Sequence, residues 1–91
     1  MIESLDELKE YLINLDYEDV IVLENPSYIT AIIGISEDGR LIYDYEKMIQ
    51  FLMDTDGMEY EEAMEFIDYN TVRALPYMGS MKPIINYEIN L

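Results

Sequence analysis

Residues 41–76 read LIYDYEKMIQ FLMDTDGMEY EEAMEFIDYN TVRALP, and the fold is decided there. Leu41-Ile42-Tyr43 is a short apolar run of β-prone residues, so a strand. Asp44 follows as the N-cap of a helix. Tyr45, Met48, Ile49, Leu52 and Met53 then recur on one helical face. Gly57 ends that helix by accepting left-handed backbone. A further helix is expected over residues 59–69, with Tyr60, Ala63, Met64 and Ile67 inward and Phe66 alongside. Its outward positions are Glu61, Glu62, Glu65 and Asp68. A knot closes the stretch: Asn70-Thr71-Val72-Arg73-Ala74-Leu75-Pro76. It is expected to form one short helical turn capped by Asn70 or Thr71, which Pro76 stops from continuing.

The acidic helix is the unusual part. From Asp54 to Asp68 there are seven acids and no base. Like charges three and four apart on a helix cost a few tenths of a kcal/mol per pair. Acids in the first turn recover some of that from the helix dipole, and those further along do not. The face is therefore expected to serve something other than helix stability. Glu59, Glu61, Glu62, Glu65 and Asp68 are the expected partner-binding residues. Arg73 is one of only five bases in the chain. With Val72, Ala74 and Leu75 around it, its planar five-donor group belongs near the core edge and wants a carboxylate. An ion pair with Asp68, acting as a structural clamp, is expected. An anion-binding role is the alternative.

Bulk properties bound the reading. Ninety-one residues make one domain, 1–91. The chain is 51% apolar, so it folds despite a net charge of −15. No run approaches the ~18 apolar residues of a membrane span. Acids at Glu3, Asp6 and Glu7 are unlike the basic start of a secretion signal. The expected compartment is cytoplasmic. There is no cysteine and no histidine, which removes disulfides, thiolate metal sites and the commonest general base. Twenty acids against five bases disfavour direct nucleic-acid binding and favour a basic protein surface as partner. The plainer alternative is that the charge only keeps a small protein soluble.

The remaining elements follow from local signals. Ser4 and Glu7 form a capping-box pattern at the start of a first helix. Leu5, Leu8, Leu12 and Leu15 mark its inner face, and it should end near Asn14. Val20-Ile21-Val22-Leu23 reads as a strand. Asn25-Pro26-Ser27 is a turn. Residues 28–35 read as a second strand, with Gly34 at a bulge or close approach. Glu37-Asp38-Gly39-Arg40 is a hairpin turn with glycine at positive φ. The three strands should make an antiparallel meander. Residues 83–89 read as a last, edge strand started by Pro83.

Signals of chemistry are weak. Asp54-Thr55-Asp56-Gly57 resembles the start of a calcium loop, but an EF-hand places glycine at position 6 rather than 4. Helix-ending turn chemistry accounts for these residues without a metal. Carboxylate pairs are expected by chance among twenty acids. Ser4, Ser27, Ser36 and Ser80 lack a histidine partner and a nucleophile-elbow pattern. No phosphate loop or dinucleotide fingerprint is present. No catalytic residue, metal or cofactor is expected. The nine tyrosines are more suggestive, because most neighbour acids: Asp16-Tyr17-Glu18, Tyr43-Asp44-Tyr45-Glu46, Glu59-Tyr60-Glu61, Asp68-Tyr69, Tyr87-Glu88. Spaced carboxylates imitate phosphates and rings imitate bases, so a basic nucleic-acid channel would accept such a surface. The plainer reading makes them half-buried core fillers with wet hydroxyls.

Tyr43-Asp44-Tyr45-Glu46-Lys47-Met48, Asp56-Gly57-Met58, Glu61-Glu62-Ala63 and the run FIDYNTVRALPY at 66–77 together resemble a family of short acidic proteins of Gram-positive bacteria and their mobile elements. The likeness spans roughly residues 20–85. It brings no established activity and no site residues, and implies a small stand-alone domain. Small acidic proteins of such elements sometimes inhibit nucleic-acid-directed defence enzymes.

The expected fold is α+β in the order αβββααβ, with helices on one face of a mainly antiparallel sheet of three or four strands. The expected function is a non-enzymatic acidic interaction protein that occupies a basic protein surface, including as a nucleic-acid mimic. A structural or regulatory homodimer built on exposed tyrosines and methionines is the second reading. A small metal-dependent enzyme is the third.

Overall fold

In the computed structural model, which describes residues 2–90, the stretch 41–57 holds the centre. Strand β2 (Leu41–Asp44) is the middle strand of a three-stranded sheet. Leu41 and Tyr43 point inward at 2% and 0% exposure, so the alternation of the run is what aims it. Asp44 then caps α2 (Tyr45–Asp56), its side chain accepting the Lys47 N–H at 3.1 Å. Gly57 closes the helix at φ 69°, the left-handed conformation in which a Cβ is disfavoured. Met48, Ile49 and Leu52 are fully buried along α2 and form the middle of the core with Tyr43, Ala63 and Ile67.

On one side of β2 lies β1 (Ile32–Ile35), paired antiparallel through the turn at 36–40. Gly39 takes φ 85° in that turn. The register shifts between Ile32 and Gly34, where the sequence marks a bulge. On the other side lies β3 (Ile84–Asn86), an edge strand that runs parallel to β2. The sheet is therefore mixed, not the antiparallel meander expected. The chain leaves β2 into α2 and returns only after α3 and two further helical turns. Such a crossover brings it back to the same end of the sheet.

Two expected strand assignments are corrected. Residues 20–23 are not a strand: among the described residues no backbone hydrogen bond joins them to a strand of the sheet. Leu23 is buried instead and donates its N–H to the Tyr43 hydroxyl at 3.0 Å. The second expected strand begins at Ile32 rather than Tyr28, because Tyr28 sits at φ 48° and Ile29–Ala31 form a 3₁₀ turn. The order is thus helix, strand, strand, helix, helix, strand.

Helix α1 (Leu5–Asn14) begins where expected. Ser4 accepts the Glu7 N–H at 3.2 Å, but the Glu7 carboxylate accepts the Ser4 hydroxyl at 3.3 Å rather than a backbone amide. Leu8 and Leu12 are buried, while Leu15 is 48% exposed. Helix α3 (Tyr60–Phe66) is α-helical for seven residues, then widens into a π turn at Ile67–Thr71 and tightens into 3₁₀ winding at Val72–Met78. The Asn70 side-chain amide donates to the Phe66 carbonyl at 3.1 Å. That carbonyl would otherwise take the Asn70 backbone N–H, so the side chain competes with the regular ladder. Pro76 lies inside the 3₁₀ segment, correcting its expected role as a stop. The π turn delivers Thr71 to the core, where its hydroxyl meets that of Tyr28 at 3.1 Å.

Candidate functional site

Nineteen of the twenty acidic side chains are exposed and Asp44 is half-buried, so nearly all of the charge faces water. It is not confined to one ridge. Acids occupy α1, the connection at 16–19, the turn at 37–38, α2 and α3. What separates them is how each is held. Among the described residues, two ion pairs occur: Lys9 with Glu24 at 2.6 Å, and Arg40 with Asp38 at 3.1 Å. Neither involves α3.

The five expected partner-binding acids are all exposed on α3 and its continuation. They have two kinds of setting. Glu61 and Glu65, four apart, share the outward face with no hydrogen bond or ion pair among the described residues. Glu59 and Glu62 hold the helix start: each carboxylate accepts a backbone N–H of the other's region, with Glu59 N–H to Glu62 at 3.4 Å. Asp68 sits on the flank facing α2 and accepts the Tyr45 hydroxyl at 2.9 Å. The start of α3 is therefore stabilised by its own acids, while the middle of the outward face is left to solvent.

Arg73 does not pair with Asp68. Its guanidinium lies over the Tyr69 ring, 4.6 Å from the centroid. Helical spacing explains this. Tyr69 is four residues back and shares the face of Arg73, whereas Asp68 is five back and already engaged by Tyr45. Tyr60 departs from its expected inward placement. It is 44% exposed and reaches back to α2, donating its hydroxyl to both carboxylate oxygens of Glu46 at 2.9 Å.

These contacts build a second motif beside the acidic face. The Tyr45 ring packs on Tyr87 with centroids 4.8 Å apart. Asn86 donates to Asp44 at 3.1 Å. Burial, then the hydrogen bond to Asp68, holds the Tyr45 hydroxyl well above its ordinary pKa. The Glu46 hydrogen bond, then desolvation, raises Tyr60. Desolvation, then the Asp68 charge, raises Tyr87. All three stay protonated near neutrality. A neutral donor orients a carboxylate without cancelling its charge, so Glu46 and Asp68 are fixed in position and remain anions. The sequence could not reveal these pairings, which join residues 14 and 23 apart. Its available hint was the alternation of tyrosine and acid at 43–46 and 59–61.

The weak calcium-loop pattern has a local explanation. Asp54 accepts the Gln50 amide at 2.8 Å and Asp56 accepts the Thr55 hydroxyl at 3.1 Å. Among the described residues no helix is long and apolar enough to cross a membrane. No family model matches the chain, and no curated protein and no solved structure matches it.

Proposed function

We propose that this chain is a non-enzymatic acidic interaction protein whose α3 face, Glu59, Glu61, Glu62, Glu65 and Asp68, meets a basic protein surface. The observation that carries the reading is that these five exposed carboxylates have no cation partner among the described residues. Linear charge density supports a nucleic-acid mimic in particular. Five carboxylates from Glu59 to Asp68 span nine residue steps, about 13 Å at about 1.5 Å each. That is one charge per about 3 Å, close to the ~3.4 Å per charge of a single duplex strand. An enzyme that binds nucleic acid in a basic channel, such as a defence enzyme, is the proposed class of target. It is in keeping with the resemblance of residues 20–85 to short acidic proteins of mobile elements.

Capture from a host lysate at low salt, followed by elution with rising salt, tests the proposal. The wild-type chain should retain a basic protein that the double variant Glu61→Lys/Glu65→Lys releases at distinctly lower salt. Identical elution from both would remove the α3 face from the interaction. A homodimer is the second reading, supported by the exposure of Tyr69 (71%), Tyr77 (91%) and Tyr87 (53%). Sedimentation at high concentration separates the two, since a monomer there dismisses the dimer.

A further inference from the structure

Val20-Ile21-Val22-Leu23 has the composition of a strand and, among the described residues, no strand partner. Three of its four residues are β-branched, and such runs favour pleated pairing. Yet what anchors the backbone of this run to the sheet is a side chain: Leu23 N–H donates to the Tyr43 hydroxyl. Backbone amides and carbonyls without partners form a ready template for strand addition. The side chains of Val20, Ile21 and Val22 are half-buried, so the run is seated on the domain rather than free of it.

Open volume lies along both flanks. A groove of about 390 Å³ separates the run from α1, with Leu12, Ile13 and Tyr17 as its far wall. A smaller one of about 220 Å³ separates it from Tyr28, Asn70 and Thr71. The two ends of the run differ in charge. At the Val20 end, Asp16, Glu18, Asp19 and Glu37, together with Asp38, which Arg40 already holds, surround a depression of about 400 Å³. At the Leu23 end, Glu24 is already held by Lys9 and is followed by neutral Asn25 and Pro26.

We propose that residues 20–24 are a docking edge for a strand of a partner protein, an apolar β-forming segment with lysine or arginine at the end beside Val20. Charge decides against a second copy of this chain. Antiparallel self-pairing centred on the run would set Asp19 opposite Glu24 of the other copy, and like charges directly opposed are destabilising. A basic-ended strand instead meets Asp16, Glu18, Asp19 and Glu37, which have no ion pair among the described residues. This edge is separate from the α3 face, and its test does not depend on that reading.

The probes are synthetic peptides KKVTVTV and VTVTVKK, which cover both strand polarities, with EEVTVTV and an alternately N-methylated KKVTVTV as controls. Amide shifts and hydrogen exchange of the full chain are followed by NMR. One basic-ended peptide should bind, shift the amides of residues 20–24 and slow their exchange. N-methylation should weaken it about tenfold or more, because it deletes backbone hydrogen bonds and leaves side chains in place. The acidic-ended peptide should not bind. Val22→Pro should lose the basic peptide while keeping the native circular dichroism. If that variant fails to fold, the N-methylated peptide on the native chain decides alone. The proposal is overturned by equal binding of the N-methylated and plain peptides, by shifts confined to α3, or by no binding at millimolar peptide. It is equally overturned if the amides of 20–24 gain protection with protein concentration alone.

Discussion

Two regions of this surface hold their carboxylates by different means. Around α1 and the turn at 36–40, acids meet cations: Glu24 with Lys9, Asp38 with Arg40. Between α2 and α3, acids meet tyrosines: Glu46 with Tyr60, Asp68 with Tyr45. Both arrangements fix a side chain, but only the first cancels charge. A protein that displays anions to a basic partner needs the second kind, because a fixed anion loses less freedom on binding than a loose one. The contrast requires the tyrosine hydroxyls to keep their protons.

High pH breaks that requirement, and it carries the largest expected effect. Tyr43 is fully buried in β2, and desolvation raises its pKa from 10.0 to about 12. Tyr28 is raised by burial as well, and Tyr45, Tyr60 and Tyr87 shift in the same direction. A raised folded pKa means that stability is complete below about pH 10, where both states hold the proton. It falls as the unfolded chain ionises first, and for Tyr43 it levels off near pH 12. Moving Tyr43 from 10.0 to about 12 corresponds to about 3 kcal/mol. Tyrosinate absorbance and circular dichroism should therefore change together above pH 10. Titration of Tyr28, Tyr43, Tyr45, Tyr60 and Tyr87 near 10 with the fold intact would undo the contrast.

Removing the Tyr43 hydroxyl separates its titration from its hydrogen bond. Tyr43→Phe should flatten part of the alkaline loss. At neutral pH it should cost about 1–3 kcal/mol, because the Leu23 N–H loses its acceptor in a buried setting. Denaturant unfolding of the two proteins at pH 7 and pH 11 measures both effects. A variant equally stable at pH 7 would mean that water serves the Leu23 amide.

What the sequence made legible was what lies within a few residues. Asp44 caps α2 and Gly57 ends it because each acts on backbone within one turn. The Gly39 turn and the start of α1 are local in the same way. Residues 20–23 carry strand composition, but being a strand needs a neighbour, and Leu23 found Tyr43, twenty residues away, as a side-chain acceptor instead. The direction of β3 was hidden for a related reason: it depends on where a crossover of two helices returns, not on its own residues. Arg73 was misplaced because proximity in sequence suggested Asp68, while helical spacing puts Tyr69 beneath it. The five acids of α3 were legible as a surface. The tyrosines that orient Asp68 and Glu46 were not, since they come from across the α2–α3 contact.

Deleting one tyrosine donor at a time sharpens the contrast at a smaller scale. Tyr45 is 8% exposed, so Tyr45→Phe should cost about 1 kcal/mol through loss of its bond to Asp68. Tyr60 lies at the surface, where water replaces its hydroxyl, and Tyr60→Phe should leave the melting temperature unchanged. Neither variant alters net charge. Thermal unfolding that ranks Tyr60→Phe as the worse of the two would reverse the assignment of the inner and outer donors.

The smallest effect is expected at the cation pair, and it tests the other half of the contrast. Lys9 and Glu24 are both exposed, with side chains 46% and 62% accessible. Their hydrogen bond raises the Lys9 pKa, yet both groups are exposed, so the pair gains little over hydration. A double-mutant cycle with Lys9→Ala and Glu24→Ala should give a coupling near zero. Whatever remains at low salt should vanish at 1 M, where the screening length is only about 3 Å. The tyrosine pair behaves differently under the same treatment. Tyr45 is neutral and shielded, so the cost of Tyr45→Phe should survive added salt. A coupling between Lys9 and Glu24 that persists at 1 M, beside a Tyr45 effect that does not, would mean that the two regions hold their acids in the reverse of the way their geometry indicates.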